Sequence, residues 1–151
     1  MATFTMYDST SAFDIPTTVE AVAGYVDGRY MWSHDSWDRF TRAKVVRRIS
    51  VRADGNMGDV LDVEHGDARV EDIFGWIKRA HARGILLPWI YCSSFILELV
   101  QKAIPDGGES ADVWCADWTG HPHMVPGCAA TQYDHPPHSG GHYDLSLITW
   151  P

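Results

Sequence analysis

The sequence predicts an α/β fold, a compact, eroded (β/α) barrel with shortened crossovers. Short apolar runs alternate with helix-like segments along the chain, and up to eight of these runs have the length of a strand. Strand–helix–strand alternation is typical of parallel strands joined by right-handed crossovers. A full eight-unit barrel needs about 250 residues, whereas this chain has 151. Several connecting helices must therefore be missing or reduced to turns, and an open, doubly wound sheet is the alternative.

The first half of the chain contains four strand candidates. They lie at residues 3–7, 19–25, 45–51 and 60–63. Asp27-Gly28 and Asp54-Gly55 are turn signals that close the second and third candidates. Residues 37–44 are predicted to form a helical turn between these two strands.

The second half alternates more clearly between helix and strand. Residues 70–83 have helical spacing, with Ile73, Trp76, Ile77 and Ala80 on one face and Gly84 where a helix C-terminus favours glycine. The remaining predicted elements are a strand at 85–91, a helix at 93–103 stopped by Pro105 to Gly108, strands at 113–118 and 129–133, and a Pro/Gly/His loop at 135–141. This loop ends at Tyr143-Asp144-Leu145.

Composition and charge bound the class of protein. Hydrophobic residues make up 45% of the sequence, enough for one domain over residues 1–151 with its own core. The net charge of −8 repels phosphate backbones, so no nucleic-acid partner is expected. No apolar run approaches the ~20 residues of a membrane span. The N-terminal residues lack the basic and apolar segments of a secretory signal, so we expect synthesis in the cytoplasm.

A pair of acids ends the fourth strand candidate, in Val60-Leu61-Asp62-Val63-Glu64. Residues i and i+2 of a strand point to the same face, so Asp62 and Glu64 project together while Leu61 and Val63 face covering helices. The carboxyl ends of strands are where α/β barrels hold their sites. Two acids held close have pKa values pushed apart, so one can donate a proton while the other stays charged. The alternative is that the acids begin a loop and cap the next helix.

Asp8 and Asp144 stand in comparable settings. Asp8 ends the first strand candidate, and Asp144 ends the His-Tyr run near the C-terminus, before Leu145. With Asp62 and Glu64, they would place acids at the ends of the first, middle and last strands of one sheet. Each acid by itself is typical of a cap or a turn. In a closed barrel the first and last strands are neighbours. The sequence therefore predicts that both acids converge with Asp62 and Glu64 at the carboxyl ends of the strands.

Several short motifs follow one order along the chain. They are Tyr7-Asp8, Leu61-Asp62-Val63-Glu64, Pro88-Trp89-Ile90-Tyr91, Val113-Trp114-Cys115-Ala116, Gln132-Tyr133 and Tyr143-Asp144-Leu145. This ordered set resembles the glycoside hydrolase family 25 type of lysozyme and the related glycoside-hydrolase-like domains of actinobacteria and their phages. The resemblance extends from Thr3 to Leu147. It implies a β/α barrel with flattened, shortened crossovers that cleaves the glycan strands of peptidoglycan.

The resemblance also implies roles for two sets of residues. The candidate catalytic set is Glu64, Asp62, Asp8 and Asp144, and the candidate substrate-binding set is Tyr91, Gln132, Tyr25 and Trp114. Glu64 would be the general acid, and Asp62 the nucleophile or the stabiliser of the developing oxocarbenium centre. The other two acids would position the sugar and tune the pair. The implied partner is bacterial cell-wall polysaccharide, and no cofactor is needed.

The chain departs from the family by its short length and by a histidine-rich stretch. Trimmed cleft walls leave a second function open, that of a non-catalytic phage virion component that decorates a capsid or tail or touches the host surface. Its partners would be other virion proteins, and it would be virion-associated. The enzyme would instead be released to the cell wall at lysis.

The histidines and a group of aromatic residues each have two interpretations. A metal site in the histidine-rich stretch would need a nearby acid as well, and the spacing of the histidines matches no metal signature. These histidines are His121, His123, His135, His138 and His142. We therefore expect no metal site, and a rim of solvated histidines beside Asp144.

A group of aromatic residues has two interpretations as well. They either form a sugar-stacking platform or pack between strand and helix, and they are Tyr25, Tyr30, Trp32 and Trp37.

Overall fold

A computed structural model describes residues 2–105 and 110–150 of the chain. Eight strands form a closed barrel in sequential order. They are β1 (Ala2–Asp8), β2 (Ala21–Tyr25), β3 (Val45–Ser50), β4 (Val60–Val63), β5 (Trp89–Ser93), β6 (Asp112–Ala116), β7 (Ala130–Asp134) and β8 (Asp144–Trp150). The α-helices of the described residues are α1 (His34–Asp38), α2 (Ile73–Ala82) and α3 (Leu97–Ala103). The predicted barrel is confirmed, and the open sheet is excluded.

The last strand corrects the expectation of a parallel sheet. Strands β1 to β7 are parallel to one another, whereas β8 is antiparallel to both of its neighbours, β7 and β1. Parallel strands need a long crossover, but an antiparallel pair can be joined by a short loop such as residues 135–143. Asp144 therefore begins β8 at the end of the barrel where Asp8 ends β1, and these two residues are register partners.

Strand residues alternate between the barrel interior and its outer face. The interior is filled by an apolar cluster that includes Met6, Ala21, Ala23, Val45, Ile49, Val60, Trp89, Trp114, Ala130 and Ile148. Leu61 and Val63 lie on the outer face, as predicted, and pack against Ile73, Trp76 and Ile77 on the helical side. Because apolar side chains fill the interior, polar inward-facing residues remain free to form a site only at the rim.

Most element boundaries lie near their predicted positions, with two informative exceptions. A 3-10 turn at Val70–Asp72 leads into α2, and Gly84 follows the helix at φ +90°, as predicted. Strand β5 begins at Trp89, four residues later than predicted, because the preceding apolar residues form a connection in which Leu86 is 87% exposed. The predicted helical turn at 37–44 is present as hydrogen-bonded turns, in which the Phe40 amide donates to the Trp37 carbonyl oxygen and the Ala43 amide to the Phe40 carbonyl oxygen. Helix α1 precedes it and begins earlier than predicted, because Ser33 caps the helix by accepting from the Ser36 amide.

The helix stop predicted at Pro105 to Gly108 lies, apart from Pro105, outside the described residues. No helix in the described part of the chain is long and apolar enough to cross a membrane.

Candidate active site

Six strands deliver a polar side chain to the carboxyl-terminal rim of the barrel. These rim residues are Asp8 on β1, Tyr25 on β2, Asp62 on β4 with Glu64 just beyond it, Tyr91 on β5, Gln132 on β7 and Asp144 on β8. Each continues the inward-facing row of its strand, as the two-residue period requires. The structure thus brings together all four predicted acids and three of the four predicted substrate-binding residues.

Gln132 is the centre of a hydrogen-bond network at this rim. Its side chain is 2% exposed, and its Oε1 accepts hydrogen bonds from the Tyr91 hydroxyl (2.9 Å) and the Trp118 indole (3.0 Å). Both partners are donors here, so the amide nitrogen must face the acids. Gln132 Nε2 donates to both carboxylate oxygens of Asp8 at 3.1 Å and to Asp144 Oδ2 at 3.4 Å.

Asp8 and Asp144 form a carboxyl pair beneath this network. Burial, together with the charge of Asp144, raises the pKa of Asp8 well above its usual range, despite the hydrogen bond from Gln132. Burial also raises the pKa of Asp144 to about 6, partly offset by His135 and by its hydrogen bond with Asp8. The hydrogen bond between the two carboxyl groups raises the pKa of Asp8 and lowers that of Asp144, so Asp8 holds the proton of the pair more tightly than Asp144 does.

Asp62 and Glu64 form a second carboxyl pair, and the structure adds Asp67 to it. One carboxylate oxygen from each of the three residues lies within 4.8 Å of the others. Asp62 is 2% exposed, whereas Glu64 is open to solvent. Burial, then the charges of Glu64 and Asp67, raise the pKa of Asp62 to about 9, so its carboxyl keeps a proton at neutral pH and hydrogen-bonds Glu64.

Sequence reasoning missed Asp67. The signal for it is Gly66, which adopts φ +90° and folds the chain back after β4, so that the Asp67 amide donates to the Glu64 carbonyl oxygen at 3.0 Å. Burial and the charge of Glu64 raise the pKa of Asp67 as well. Three carboxyl oxygens this close are also the kind of ligand that Ca²⁺ or Mg²⁺ prefers, and within the described residues they are the one group of three ligand side chains placed to hold a metal ion.

Two tyrosines complete the rim, and one predicted contact is corrected. Burial, together with the nearby acids, raises the pKa of the Tyr25 and Tyr91 phenols, so both stay neutral hydrogen-bond donors. Trp114 is only 1% exposed and lies inside the barrel, 4.9 Å from the Tyr91 ring, with its indole donating to Ser146 Oγ at 3.0 Å. It supports Tyr91 from below and has no surface for a substrate, contrary to the prediction.

An open cleft of about 360 Å³ lies beside Glu64. It is lined by Glu64, Tyr91, Ser93, Ser94, Phe95, Ala116, Asp117 and Trp118. Sequence reasoning placed Trp118 in a strand and Phe95 in a helix. Strand β6 instead ends at Ala116, and Phe95 lies in a 3-10 turn after β5, so both rings reach the cleft.

The predicted aromatic platform divides into two parts. Trp32 is 5% exposed and packs with Trp37 and Phe40, which is the packing alternative. Tyr25 instead faces the acids, with the half-exposed Tyr30 ring 6.4 Å away.

The histidines form separate pairs with acids. His138 Nδ1 lies 2.8 Å from Asp134 Oδ2, and His123 Nε2 lies 2.9 Å from Asp117 Oδ2. His135 contacts the Trp118 ring, with the ring centroids 4.4 Å apart. The loop therefore lies beside Asp144 and Trp118 through His135, and none of its histidines is among the described lining residues of the cleft.

Two solved structures have this fold. A family GH25 lysozyme from Aspergillus fumigatus matches with a TM-score of 0.59 and 12% identity over 99% of this chain and 95% of its own. A muramidase from Acremonium alcalophilum matches with a TM-score of 0.59 and 12% identity over 98% of this chain and 94% of its own. No protein-family model and no curated protein sequence matches the chain. The likeness defines the class of fold, that of the GH25 lysozyme barrel.

Proposed function

We propose that this protein is a glycoside hydrolase that cleaves the glycan strands of bacterial peptidoglycan. The observation that carries the proposal is the Asp62–Glu64 pair, two carboxyl groups whose oxygens lie within 4.8 Å of each other beside an open cleft. Paired carboxyl groups of this kind supply the acid and the charge stabilisation that glycosidic bond cleavage needs. The solved structures with this fold include a lysozyme and a muramidase, which supports the choice of substrate.

The proton of the pair sets the order of events. In the free site Asp62 holds the proton and hydrogen-bonds Glu64. Positive charge that develops on the bound sugar favours the ionised form of Asp62, so the proton passes to Glu64 along that hydrogen bond. Glu64 then protonates the glycosidic oxygen as the C1–O bond breaks, and Asp62 stabilises or bonds the sugar cation. Water attacks C1 in the second step and returns its proton to Glu64.

The short distance between the acids predicts the stereochemistry. Inverting enzymes hold their carboxyl groups about 6.5–9.5 Å apart to admit a water, whereas retaining enzymes hold them about 5–5.5 Å apart. Carboxylate oxygens of Asp62 and Glu64 lie within 4.8 Å of each other, which leaves no room for that water. We expect retention, to be measured by proton NMR of the first-formed anomer. An inverted product would assign the base to another residue.

The alternative function is a non-catalytic component of a phage virion that reuses this fold. Such a module would fill the groove with its own side chains or cover it with a protein contact. The cleft beside Glu64 is instead open, and Glu64 itself is exposed, which supports the enzyme. Purified protein that binds cell walls but releases no sugar from them would favour the virion component. A phage origin is part of both proposals, and release to the cell wall at lysis is part of the enzyme proposal only.

A cell-wall clearing assay on the Glu64→Gln variant tests the function. Glutamine keeps the shape of the side chain but cannot donate the proton, and general acid catalysis contributes about 10²–10⁴-fold to rates. We expect turnover to fall by at least about 100-fold, with an unchanged circular dichroism spectrum. Glu98→Gln, an exposed acid on α3 that pairs with Lys102, is the matched control and keeps full activity. Full activity in Glu64→Gln would remove Glu64 from the mechanism.

A further inference from the structure

Two aromatic side chains beside the candidate acids are unusually open to solvent. Phe95 is 98% exposed and Trp118 is 58% exposed. They follow β5 and β6, which are adjacent parallel strands, so both emerge at the rim that holds Glu64. A single exposed aromatic ring needs no explanation. Two that line one cleft together with a candidate catalytic acid make a surface suited to a ligand.

The cleft lies on one side of Glu64. Glu64 and Tyr91 line it, together with Phe95 and Trp118 and the polar side chains of Ser94 and Asp117. Its described lining residues do not include Asp8, Asp62 or Asp144, yet the charge of Glu64 acts on both Asp8 and Asp62. Glu64 therefore belongs both to the cleft and to the group of buried acids.

Trp118 is held in place by the network of the site. Its indole donates to Gln132 Oε1 at 3.0 Å, and its ring contacts the His135 ring. The neighbouring Asp117 is fixed by its amide, which donates to the Gln132 carbonyl oxygen at 2.9 Å, and by its ion pair with His123. A ring fixed in this way is a preorganised wall, which lowers the entropic cost of binding.

We propose that this cleft is the subsite for the leaving saccharide, with Phe95 and Trp118 packing against the pyranose ring. The inference rests on the proposed function. The atom that Glu64 protonates joins two sugars, and the sugar that becomes cationic must lie by Asp62. The other sugar must lie across Glu64, where the cleft is. Its C–H faces suit the aromatic rings, and its hydroxyl groups reach Ser94 and Asp117. A volume of about 360 Å³ is at the lower end for ligand pockets and suits about one sugar unit.

Two substrates that differ only in the leaving group test the subsite. One is a soluble tetrasaccharide of alternating N-acetylglucosamine and N-acetylmuramic acid, and the other is the β-glycosyl fluoride of its non-reducing half. Fluoride occupies no sugar subsite. We expect Phe95→Ala to lower kcat/KM for the tetrasaccharide about tenfold and to leave that for the fluoride unchanged. Phe95→Tyr keeps the ring and restores the tetrasaccharide rate.

The matched control is Phe74→Ala. Phe74 is a half-exposed ring on α2 that contacts Lys78, and its loss changes neither rate. Equal losses on both substrates in Phe95→Ala, or no loss on the tetrasaccharide, would overturn the leaving-group subsite.

Binding to the inactive Glu64→Gln variant separates this inference from the proposed function. Calorimetry with the tetrasaccharide is repeated after adding Phe95→Ala. Weaker binding in the double variant, in a protein whose wild type releases no sugar, keeps the saccharide cleft and rejects the hydrolase. Turnover in the wild type with no dependence on Phe95 keeps the hydrolase and rejects the subsite. Binding that is absent in both variants, without wild-type turnover, rejects both.

Discussion

Burial raises the pKa values of four carboxyl groups at the rim, those of Asp8, Asp62, Asp67 and Asp144. None of the ion pairs found among the described residues involves these four side chains. Protons and the hydrogen bonds of Gln132 therefore take the place of cationic partners. Acids held in this way destabilise the fold as they ionise, which is a common cost of a catalytic site.

Asp62→Asn should make the protein more stable, by an amount that depends on pH. Asp62 has a pKa of about 9 in the folded protein and about 3.9 in an unfolded chain. Between these values the folded state binds more protons, so the free energy of unfolding falls as pH rises. Asparagine does not ionise and avoids that loss. We expect similar Tm values at pH 4 and a Tm at pH 8 higher by at least about 3 °C in the variant.

Thermal unfolding followed by circular dichroism at both pH values measures this difference. Glu98→Gln serves as the control, because Glu98 is exposed, and it should follow the wild type. A Tm difference that is the same at pH 4 and pH 8 would mean that ionisation of Asp62 has no part in it.

Asp67→Asn should shift the pH dependence of activity. The charge of Asp67 helps to raise the pKa of Asp62, so its removal lowers the pKa of Asp62. The alkaline limb of kcat/KM should move down by about one pH unit, since a charge about 4–6 Å away shifts a pKa by roughly that amount, and the carboxylate oxygens of Asp67 and Asp62 lie within 4.8 Å of each other. Asp14→Asn, at an exposed 3-10 turn, is the control. If Asp67→Asn lowered the activity but left the alkaline limb of kcat/KM at the same pH, Asp67 would have a structural role only.

Some secondary structure elements of this protein can be predicted from the sequence more reliably than others. The apolar stretch Val60–Val63 and the helical spacing around Trp76 indicated β4 and α2, because their side chains pack on one clear face. The apolar run before Trp89 led to a wrong start for strand β5, because Leu86 is exposed and hydrophobicity alone does not reveal exposure. The direction of β8 was also missed, although the absence of a helical pattern in residues 135–143 already favours an antiparallel connection.

The residues of the candidate site likewise divide into those that the sequence predicts and those that it does not. The two-residue period of a strand was enough to pair Asp62 with Glu64, and closure of the barrel placed Asp8 near Asp144. Phe95 and Trp118 have no such period, because they lie in loops beyond the strand ends. Their place in the cleft depends on loop conformation, which a single sequence does not encode in a readable pattern.

Two glycines give opposite predictions for the elements that hold them. A Cβ on Gly24 of β2 would lie 2.5 Å from the Trp32 ring, whose indole donates to the Ser9 carbonyl oxygen in the core. Gly24→Ala should therefore destabilise the protein by about 2 kcal/mol through overpacking. Gly75 lies in α2, and a Cβ there meets only the flexible end of Arg79 at 3.4 Å. Gly75→Ala should stabilise it by about 1 kcal/mol.

Urea unfolding of both glycine variants beside the wild type measures these changes. The two substitutions add the same methyl group, so the opposite signs test the local packing. Equal effects of the two would indicate that Trp32 moves freely aside.

Over the whole molecule, the two ends of the barrel have different tasks. The carboxyl-terminal end carries the acids and the cleft. Towards the other end Arg47 is buried, pairs with Asp59 at 3.0 Å and lies 3.8 Å above the Trp89 ring. In parallel barrels this end contributes to stability, and substitutions there spare the chemistry. The same division explains how the fold is shared with lysozymes at 12% identity, since alternation of apolar residues survives large changes of sequence.

The antiparallel last strand has a practical consequence for handling the protein. Ala2 and Trp150 are register partners, which places their Cα atoms about 5 Å apart, on the face opposite the cleft. A peptide of a few residues would thus join position 150 to position 2 and turn the barrel into a backbone ring without crossing the substrate path. Such a ring has fewer unfolded conformations, so it should resist heat better than the linear chain. Tethering the molecule to a solid support at either position would likewise leave the cleft facing the solution.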